Sequence, residues 1–410
     1  MPQESAPPDR SILRHPSFRL FWFARTFSII AFQMQGVAVG WQIYALSGSA
    51  FYLGLVGLAQ FLPMFLLTLP VGHVADRYDR RNVARTCMAA QGIALALLTV
   101  GSHSGWLGKE AILAIVFLLG AARAFEGPTM QALLPTLVEP ELIPTAAAWS
   151  ASAMQTAFIL GPALGGLLYA VGPTTVYATS TALFLTASTL VSFIHSTHDA
   201  SRREPLSLNS LFAGISFIRS RPDILGAISL DLFAVLLGGA TALLPIFARD
   251  ILKTGPWGLG LLRAAPALGA LAMSVYLARH PLKNRVGRTM FISVIIFGIA
   301  TIAFGLSHSF PLSIASLMVL GAADVISVVI RASLVQIETP DEMRGRVSAV
   351  NSLFIGTSNQ LGEFESGVTA ALFGTIPAVL LGGAGTVVVA LLWMRLFPQL
   401  AHFDSLQRKS

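Results

Sequence analysis

The chain has 410 residues, 54% of them hydrophobic and only 11% charged, with 27 Lys and Arg against 20 Asp and Glu and a net charge of +7. A soluble domain carries about 25% charged residues, so this balance excludes an ordinary soluble protein and places the chain among polytopic membrane proteins. The basic excess is not a nucleic-acid footprint. All but Lys109, Arg249, Lys253, Arg123 and Arg263 fall on segments, or the borders of segments, that one face of a membrane would hold, which is topology and attraction to anionic lipid.

About 20 apolar residues in a helix cover the roughly 30 Å hydrocarbon core. Twelve stretches meet that length, at 19–46, 51–72, 83–101, 111–130, 146–170, 174–195, 223–248, 257–279, 289–306, 311–331, 347–373 and 376–396. The N-terminus through Leu20 is Pro-rich, polar and basic, without a short apolar core and small-residue cleavage site, so the first span is expected to stay as a helix. The single cysteine, Cys87, excludes an intrachain disulfide.

In span 1, Ser28, Gln35 and Gln42 recur every seven residues and form one polar stripe. It serves either helix–helix hydrogen bonds or, as its length favours, an aqueous cavity. Span 2 holds Gly54, Gly57, Pro63 and Pro70, suiting a bent, closely packed helix. Then comes Gly72-His-Val-Ala-Asp-Arg-Tyr-Asp-Arg-Arg81, with Arg85 beyond it. So charged a segment cannot cross hydrocarbon, and its arginines assign it to the cytoplasm. With an even number of spans, both termini are then cytoplasmic.

Span 3 is nearly featureless. Span 4 carries Arg123 and Glu126 one turn apart, followed by Gly127-Pro128; span 5 carries Ser152, Gln155 and Thr156, then Gly161-Pro-Ala-Leu-Gly-Gly166. The longest loop, 196–222, contains Leu208, Leu211, Phe212, Ile215 and Ile218 at helical period, which predicts a surface helix at the cytoplasmic interface tying two halves together. His195-Ser-Thr-His198 with Asp199, at its start, reads as surface residues rather than a metal site.

The second half replays the first. Span 7 carries Asp231 without an evident partner in its own helix, and span 8 carries Arg263. Span 10 carries Asp324 and Arg331, seven residues or about 10.5 Å apart on one face, so that a bridging group is needed between them. Span 11 carries Asn351, Asn359, Gln360, Glu363 and Glu365. Glu365 points about 200° away from Glu363, so only one can line a given cavity; Ser352, Asn359 and Glu363 share the favoured face. Leu137-Val-Glu-Pro-Glu-Leu142 matches Ile337-Glu-Thr-Pro-Asp-Glu342, and Gly161 and Gly166 correspond to Gly362 and Gly367. The period is half the chain, as in parallel duplicated halves.

Spans 3, 6, 9 and 12 are the least polar, while charge concentrates in 1, 4, 7, 10 and 11. Buried charge costs about 2.5–3.5 kcal/mol per residue even on the mildest scale, so retained charges face a cavity or a partner. The organisation expected is a tail at 1–18, a six-helix bundle at 19–195, a linker at 196–222, a second bundle at 223–396 and a tail at 397–410. Their polar faces enclose a central path. Neither a phosphate-binding Gly-rich motif nor His-Glu-x-x-His is present, so no hydrolytic activity is expected.

These residues resemble the major facilitator superfamily. The loop after span 2 is similar to its G-x-L-A-D-R-x-G-R-R signature at Gly72, Ala75, Asp76, Arg77, Arg80 and Arg81, with Val74 for Leu and Asp79 for Gly, where Asp is expected to tolerate a left-handed turn. A degraded second copy, Arg279-His-Pro-Leu-Lys-Asn-Arg-Val-Gly-Arg288, follows span 8 without the acidic residue. Arg123 and Gly127 resemble the R-x-x-x-G element. Gly161, Pro162, Gly165 and Gly166 resemble the antiporter signature, with Ala157 at its first Gly. Val39-Gly-Trp-Gln-Ile-Tyr44, Leu243-Leu-Pro-Ile-Phe-Ala-Arg-Asp250, Gly258-Leu-Gly-Leu-Leu-Arg-Ala-Ala-Pro266 and Thr339-Pro-Asp-Glu-Met-Arg-Gly-Arg346 look like the enterobactin-exporter and transmembrane-secretion-effector branch.

The resemblance implies an all-α membrane protein of twelve helices in two pseudo-symmetric six-helix bundles, monomeric, in the inner membrane. It implies alternating access and export of a small organic molecule, a siderophore or an amphipathic drug-like compound, driven by a proton gradient with no bound cofactor. An importer, a lipid flippase and a non-transporting sensor or scaffold remain as alternatives. Gly72, Asp76, Arg77, Arg80 and Arg81 would latch one conformation. Gln35, Gln42, Arg123, Glu126, Asp231, Asp324, Arg331, Asn359 and Glu363 are the candidates for the substrate and proton path.

Overall fold

The computed structural model describes residues 12–195, 208–282 and 284–403. Side chains at Gly72, His73, Ala75 and Asp76 lie outside the described set, as do His198 and Asp199. The described residues are helical, without a strand. The first half contains α1 (Pro16–Ser47), α2 (Ala50–Leu66), α3 (Thr68–Arg77), α4 (Arg80–His103), α5 (Lys109–Leu133), α6 (Ile143–Tyr169) and α7 (Pro173–Ser192). The second contains α8 (Leu208–Ser220), α9 (Pro222–Leu237), the single turn α10 (Leu244–Ile246), α11 (Gly255–Arg279), α12 (Val286–Leu306), α13 (Phe310–Glu338), α14 (Asp341–Phe373), α15 (Thr375–Leu396) and the short α16 (Pro398–Ala401).

Helix occupies each of the twelve expected spans, and among the described residues nine helical segments are long and apolar enough to cross a membrane. The other three have identifiable reasons. Span 2 is not one helix: α2 and α3 part at Leu67, because Pro70 offers no N–H and its ring crowds the Leu66 carbonyl four residues back. The sixth, α7, is diluted by Ser and Thr. The eleventh, α14, carries the polar run from Asp341 to Glu365. The seventh is also interrupted, α9 ending at Gly238-Gly239 before a 3-10 turn, α10 and a π turn at Phe247–Ile251 complete the crossing.

Within the first half α1, α4, α5, α6 and α7 pack on one another, and within the second α9 and α11 to α15 do the same. The residues of the predicted surface helix form α8, but its main packing is within the second half, where the expectation has it tying two halves together. It packs on α14 and α9 of the second half, with Ile218 buried and Phe212 63% exposed. The halves meet chiefly where α2 lies on α14 and α6 on α11.

Both meetings are glycine-to-glycine. A β-carbon on Gly367 of α14 would stand 2.4 Å from Gly54 Cα, and one on Gly166 of α6 would stand 2.8 Å from Gly260 Cα and 2.5 Å from the Pro256 carbonyl oxygen. Neither position has room for any side chain. The duplicated pair Gly166 and Gly367 therefore forms the two symmetry-related crossings. Their duplicated companions, Gly161 and Gly362, seat α6 on Gln33 of α1 and α14 on Leu236 of α9.

Following the chain through its alternating crossings places Gly54, Gly166, Gly260 and Gly367 toward one end of the bundle, called here the far end. The loop at Tyr78–Asp79 lies at the other, the basic end. At the far end Tyr44 of α1 hydrogen-bonds Asp250 across the two halves, and the Arg249 guanidinium lies 5.5 Å from the Tyr44 ring centroid. The halves are thus clasped at the far end.

A Gly367→Leu substitution is expected to force the clasp apart while leaving each half folded. Spin labels on cysteines at exposed His103 and His308, in a Cys87→Ser background, should move to longer separations. An unchanged distance distribution would contradict the role assigned to this crossing.

Candidate functional site

Each half holds a carboxylate–arginine cluster. In the first, Glu126 of α5 is 2% exposed. It accepts hydrogen bonds from Ser28 Oγ, from Gln91 Nε2 at 2.7 Å and from Arg123 Nη1 at 3.0 Å. Arg123, about one third exposed, is the accessible member, and its guanidinium lies 4.7 Å from the Phe32 ring centroid. Gln91 of α4 is a participant that sequence reasoning missed; a single Gln in an otherwise apolar span was the available signal.

In the second cluster Asp231 of α9 forms an ion pair with Arg331 of α13, both buried. This supplies the partner that Asp231 lacked in its own helix, and it pairs Arg331 with Asp231 rather than with Asp324. Asp324 faces the same small pocket as Asp231, together with Ala234, Val294, Phe297 and Ser327. The pocket adjoins the Gly238-Gly239 interruption, where helix geometry lapses and backbone groups lose their regular partners.

The polar stripe of span 1 is divided between roles. Gln42 accepts from Tyr177 at 2.7 Å and donates to Ser102 at 3.0 Å, so it ties α1 to α7 and α4 rather than lining a cavity. Ser28 belongs to the Glu126 cluster, and Gln35 is buried with its Oε1 unpartnered. Hydrogen bonding between helices, the other reading of this stripe, accounts for Gln42. On α14, Asn359 is exposed and bonds back to the Ile355 carbonyl at 2.8 Å, whereas Glu365 accepts from Thr369 of its own helix at 2.7 Å. Glu363 is directed at α2, where its Oε2 would lie 3.1 Å from a β-carbon on Gly57.

At the basic end, Arg80 donates to the Ala132 carbonyl at 3.2 Å and Arg81 to the Ile194 carbonyl at 2.9 Å, joining the start of α4 to the ends of α5 and α7. These bonds stay within the first half. Arg77 is exposed, and the structure describes neither the Gly72 nor the Asp76 environment. Asp79 departs from the expected left-handed turn. Its φ is −58°, and it caps α4 by accepting from the Arg81 N–H at 2.8 Å, a helix N-cap in which Asp is favoured over Gly. Pro162 sits with Gly166 in the seam, its carbonyl 2.5 Å from where a β-carbon on Gly260 would stand, whereas Gly161 and Gly165 pack within the first half on α1, Gly165 on the Met34 backbone. No group of three metal-ligating residues is found among the described residues.

Buried charges held in pairs, on helices that surround the seam between two duplicated halves, suit a path through a membrane and no covalent chemistry. The sequence profile of the transmembrane secretion effectors matches residues 9–410. The chain belongs to the transmembrane secretion effector family. Enterobactin exporter EntS of Citrobacter koseri is 29% identical over 395 residues, covering 95% of this chain and 94% of that protein. EntS of Escherichia coli K12 is 27% identical over the same extent. Among solved structures, a bacterial homologue of the human lysosomal transporter Spinster, in an inward-facing and occupied conformation, aligns with a TM-score of 0.75 at 14% identity, covering 96% and 99% of the two chains. The nucleoside transporter NupG aligns at 0.70 with 17% identity, covering 92% and 100%. This secretion-effector protein is therefore a multi-pass membrane transporter of the major facilitator type, not an enzyme.

Removing one partner of a buried ion pair costs about 3–5 kcal/mol, because the other charge is left uncompensated. Asp231→Asn should accordingly lower thermal stability by several kcal/mol, and Asp231→Asn with Arg331→Leu should recover most of it. Thermal unfolding of the two variants and of Arg331→Leu closes the cycle; additive losses would show that the pair is not coupled.

Proposed function

We propose that this transporter exports an amphipathic small organic molecule, of siderophore or drug-like type, across the cell membrane in exchange for protons by alternating access. The observation that carries the reading is the asymmetric seam. The halves are clasped through Gly54–Gly367, Gly166–Gly260 and Tyr44–Asp250 at the far end and joined further down by the Gln155 bond to the Ala267 carbonyl, while the side-chain bonds of the basic-end arginines, Arg80 to Ala132 and Arg81 to Ile194, stay within the first half. With the arginine-rich basic end in the cytoplasm and both termini there, this is the arrangement in which cargo would enter from inside. Similarity to enterobactin exporters supports outward movement, and to a siderophore-sized cargo.

Proton coupling requires a carboxyl whose surroundings differ between the two states. Four acids lie within the helices around the seam: Glu126, Asp231, Asp324 and Glu363. Each is positioned so that a change in packing between helices alters its partner or its contact with water. Arg123, exposed toward the path and bonded to Glu126, would pass the arrival of cargo to that carboxylate.

Purified protein in proteoliposomes with an imposed pH gradient is expected to give substrate-driven proton flux with one or more members of a siderophore and amphipathic-drug panel. One of Glu126→Gln, Asp231→Asn, Asp324→Asn and Glu363→Gln should reduce that flux to background while cargo binding persists. Flux retained in all four variants would overturn carboxyl-based coupling.

The clasp makes a separate prediction. Tyr44→Phe and Asp250→Asn each remove a cross-half bond and should raise the reactivity of far-end cysteines toward an impermeant maleimide several-fold. Equal reactivity with the parent would mean that the bond does not hold the far end shut.

A further inference from the structure

Arg123 is held by Glu126 and Arg331 by Asp231. Arg263 of α11 is not held in this way. Among the described residues its guanidinium makes neither a hydrogen bond nor an ion pair, and its buried Nε has no partner. Arg25 also has an unpartnered Nε, but it belongs to the Arg123–Glu126 cluster inside the first half. Arg263 instead crosses from the second half to the first. Its guanidinium lies along α1, where a β-carbon on Gly36 would be 3.1 Å from Nη1 and one on Gly40 would be 3.3 Å from Nη2. Two glycines one turn apart leave a notch on α1, and the planar group occupies it.

The acidic and the basic residue beside the crossings match in depth. Arg263 stands one turn from Gly260, and Glu363 one turn from Gly367, each on the basic-end side of its crossing. Glu363 in turn crosses to the first half and lies against Gly57 of α2. The two residues roof the space between the halves just beneath the clasp. Glu363, the acidic residue at this level of the seam, forms no ion pair with Arg263 among the described residues. A guanidinium left without an acceptor at this depth is costly, and intramembrane charges are kept where they have a counter-charge or a ligand. Arg carries a planar fork of donors suited to a flat oxyanion held by two parallel bonds.

We propose that Arg263 is the recognition residue for an anionic group, a carboxylate or similar flat oxyanion, on the transported molecule, with Glu363 as the resident charge that this group displaces. The proposal rests on the transport reading and adds the chemical class of the cargo. When the path is empty, Glu363 supplies a distant counter-charge. When cargo arrives, its oxyanion becomes the acceptor that the guanidinium in the glycine notch lacks.

The test is equilibrium binding of two probes, 1-pyrenebutyrate and its neutral isostere 1-pyrenebutanamide, to the full chain in phosphatidylcholine nanodiscs, with signal taken over empty discs. The parent is expected to bind the carboxylate about tenfold or more tightly than the amide, the discrimination that a hydrogen bond to a charged group provides. Arg263→Gln should bring both probes to the affinity of the amide, and Arg263→Lys should keep part of the preference. Glu363→Gln, by removing the resident competitor, should strengthen binding of the carboxylate several-fold, which a purely structural role for Arg263 would not produce. Absence of preference in the parent, through equal binding or none, or a preference that survives in Arg263→Gln, overturns the proposal. Binding needs no gradient, so proton flux can fail with the preference intact, and the preference can fail with flux intact.

Discussion

Everything in this molecule depends on how closely two helix backbones can approach. At Gly54–Gly367 and Gly166–Gly260 the halves touch main chain to main chain, and no larger residue fits without moving a helix. In hydrocarbon there is little hydrophobic drive to press helices together, so dispersion contact at such close range is a principal source of attraction. The two crossings are related by the internal duplication, so a single ancestral solution closes both sides of the seam. The antiporter-type signature on α6 is, in physical terms, a set of small residues that lets one helix pack against α1 and α11 at once.

Charge is arranged around that seam in a consistent way. Each half neutralises its own arginine with its own carboxylate, Arg123 with Glu126 and Arg331 with Asp231, so each can move as a unit without exposing a bare charge. Further hydrogen bonds stiffen the first half, Gln42 linking α1, α4 and α7. Residues that reach between halves, among them Tyr44, Gln155, Asp250, Arg263 and Glu363, are those whose surroundings must alter if the halves rock.

Much of this was legible in the chain. Span lengths, the repeat at Pro140 and Pro340 and the polarity of every third helix define the architecture, because hydrocarbon imposes a simple rule on helix length and polarity. Adjacent residues such as Arg123 and Glu126 could be paired by helical spacing alone. Asp231 and Arg331 could not, since a hundred residues separate them and only packing brings α9 to α13. Gln42 was misassigned because a stripe of polar residues looks the same whether it meets water or other helices. Asp79 was misread as a turn residue because the neighbouring helix start, which it caps, leaves little mark in so charged a loop. Arg263 was visible as an arginine within an apolar span, but the glycines that receive it lie on a helix more than two hundred residues earlier.

The position of the crossings along the helices also sets a mechanical ratio. From Gly166 back to Ile143, α6 runs 23 residues, about 35 Å at 1.5 Å per residue, whereas only three residues separate Gly166 from its far-end terminus at Tyr169. Were the crossing the pivot, each half would be a long lever with a very short arm, and the Gln155–Ala267 bond further down α6 would have to part as it turned. Turning it by about 10° sweeps the basic end through roughly 6 Å while the glycine contact itself slips by less than an ångström. Such a turn would leave the glycine crossing nearly in place, whereas opening the far end requires the crossing itself to part.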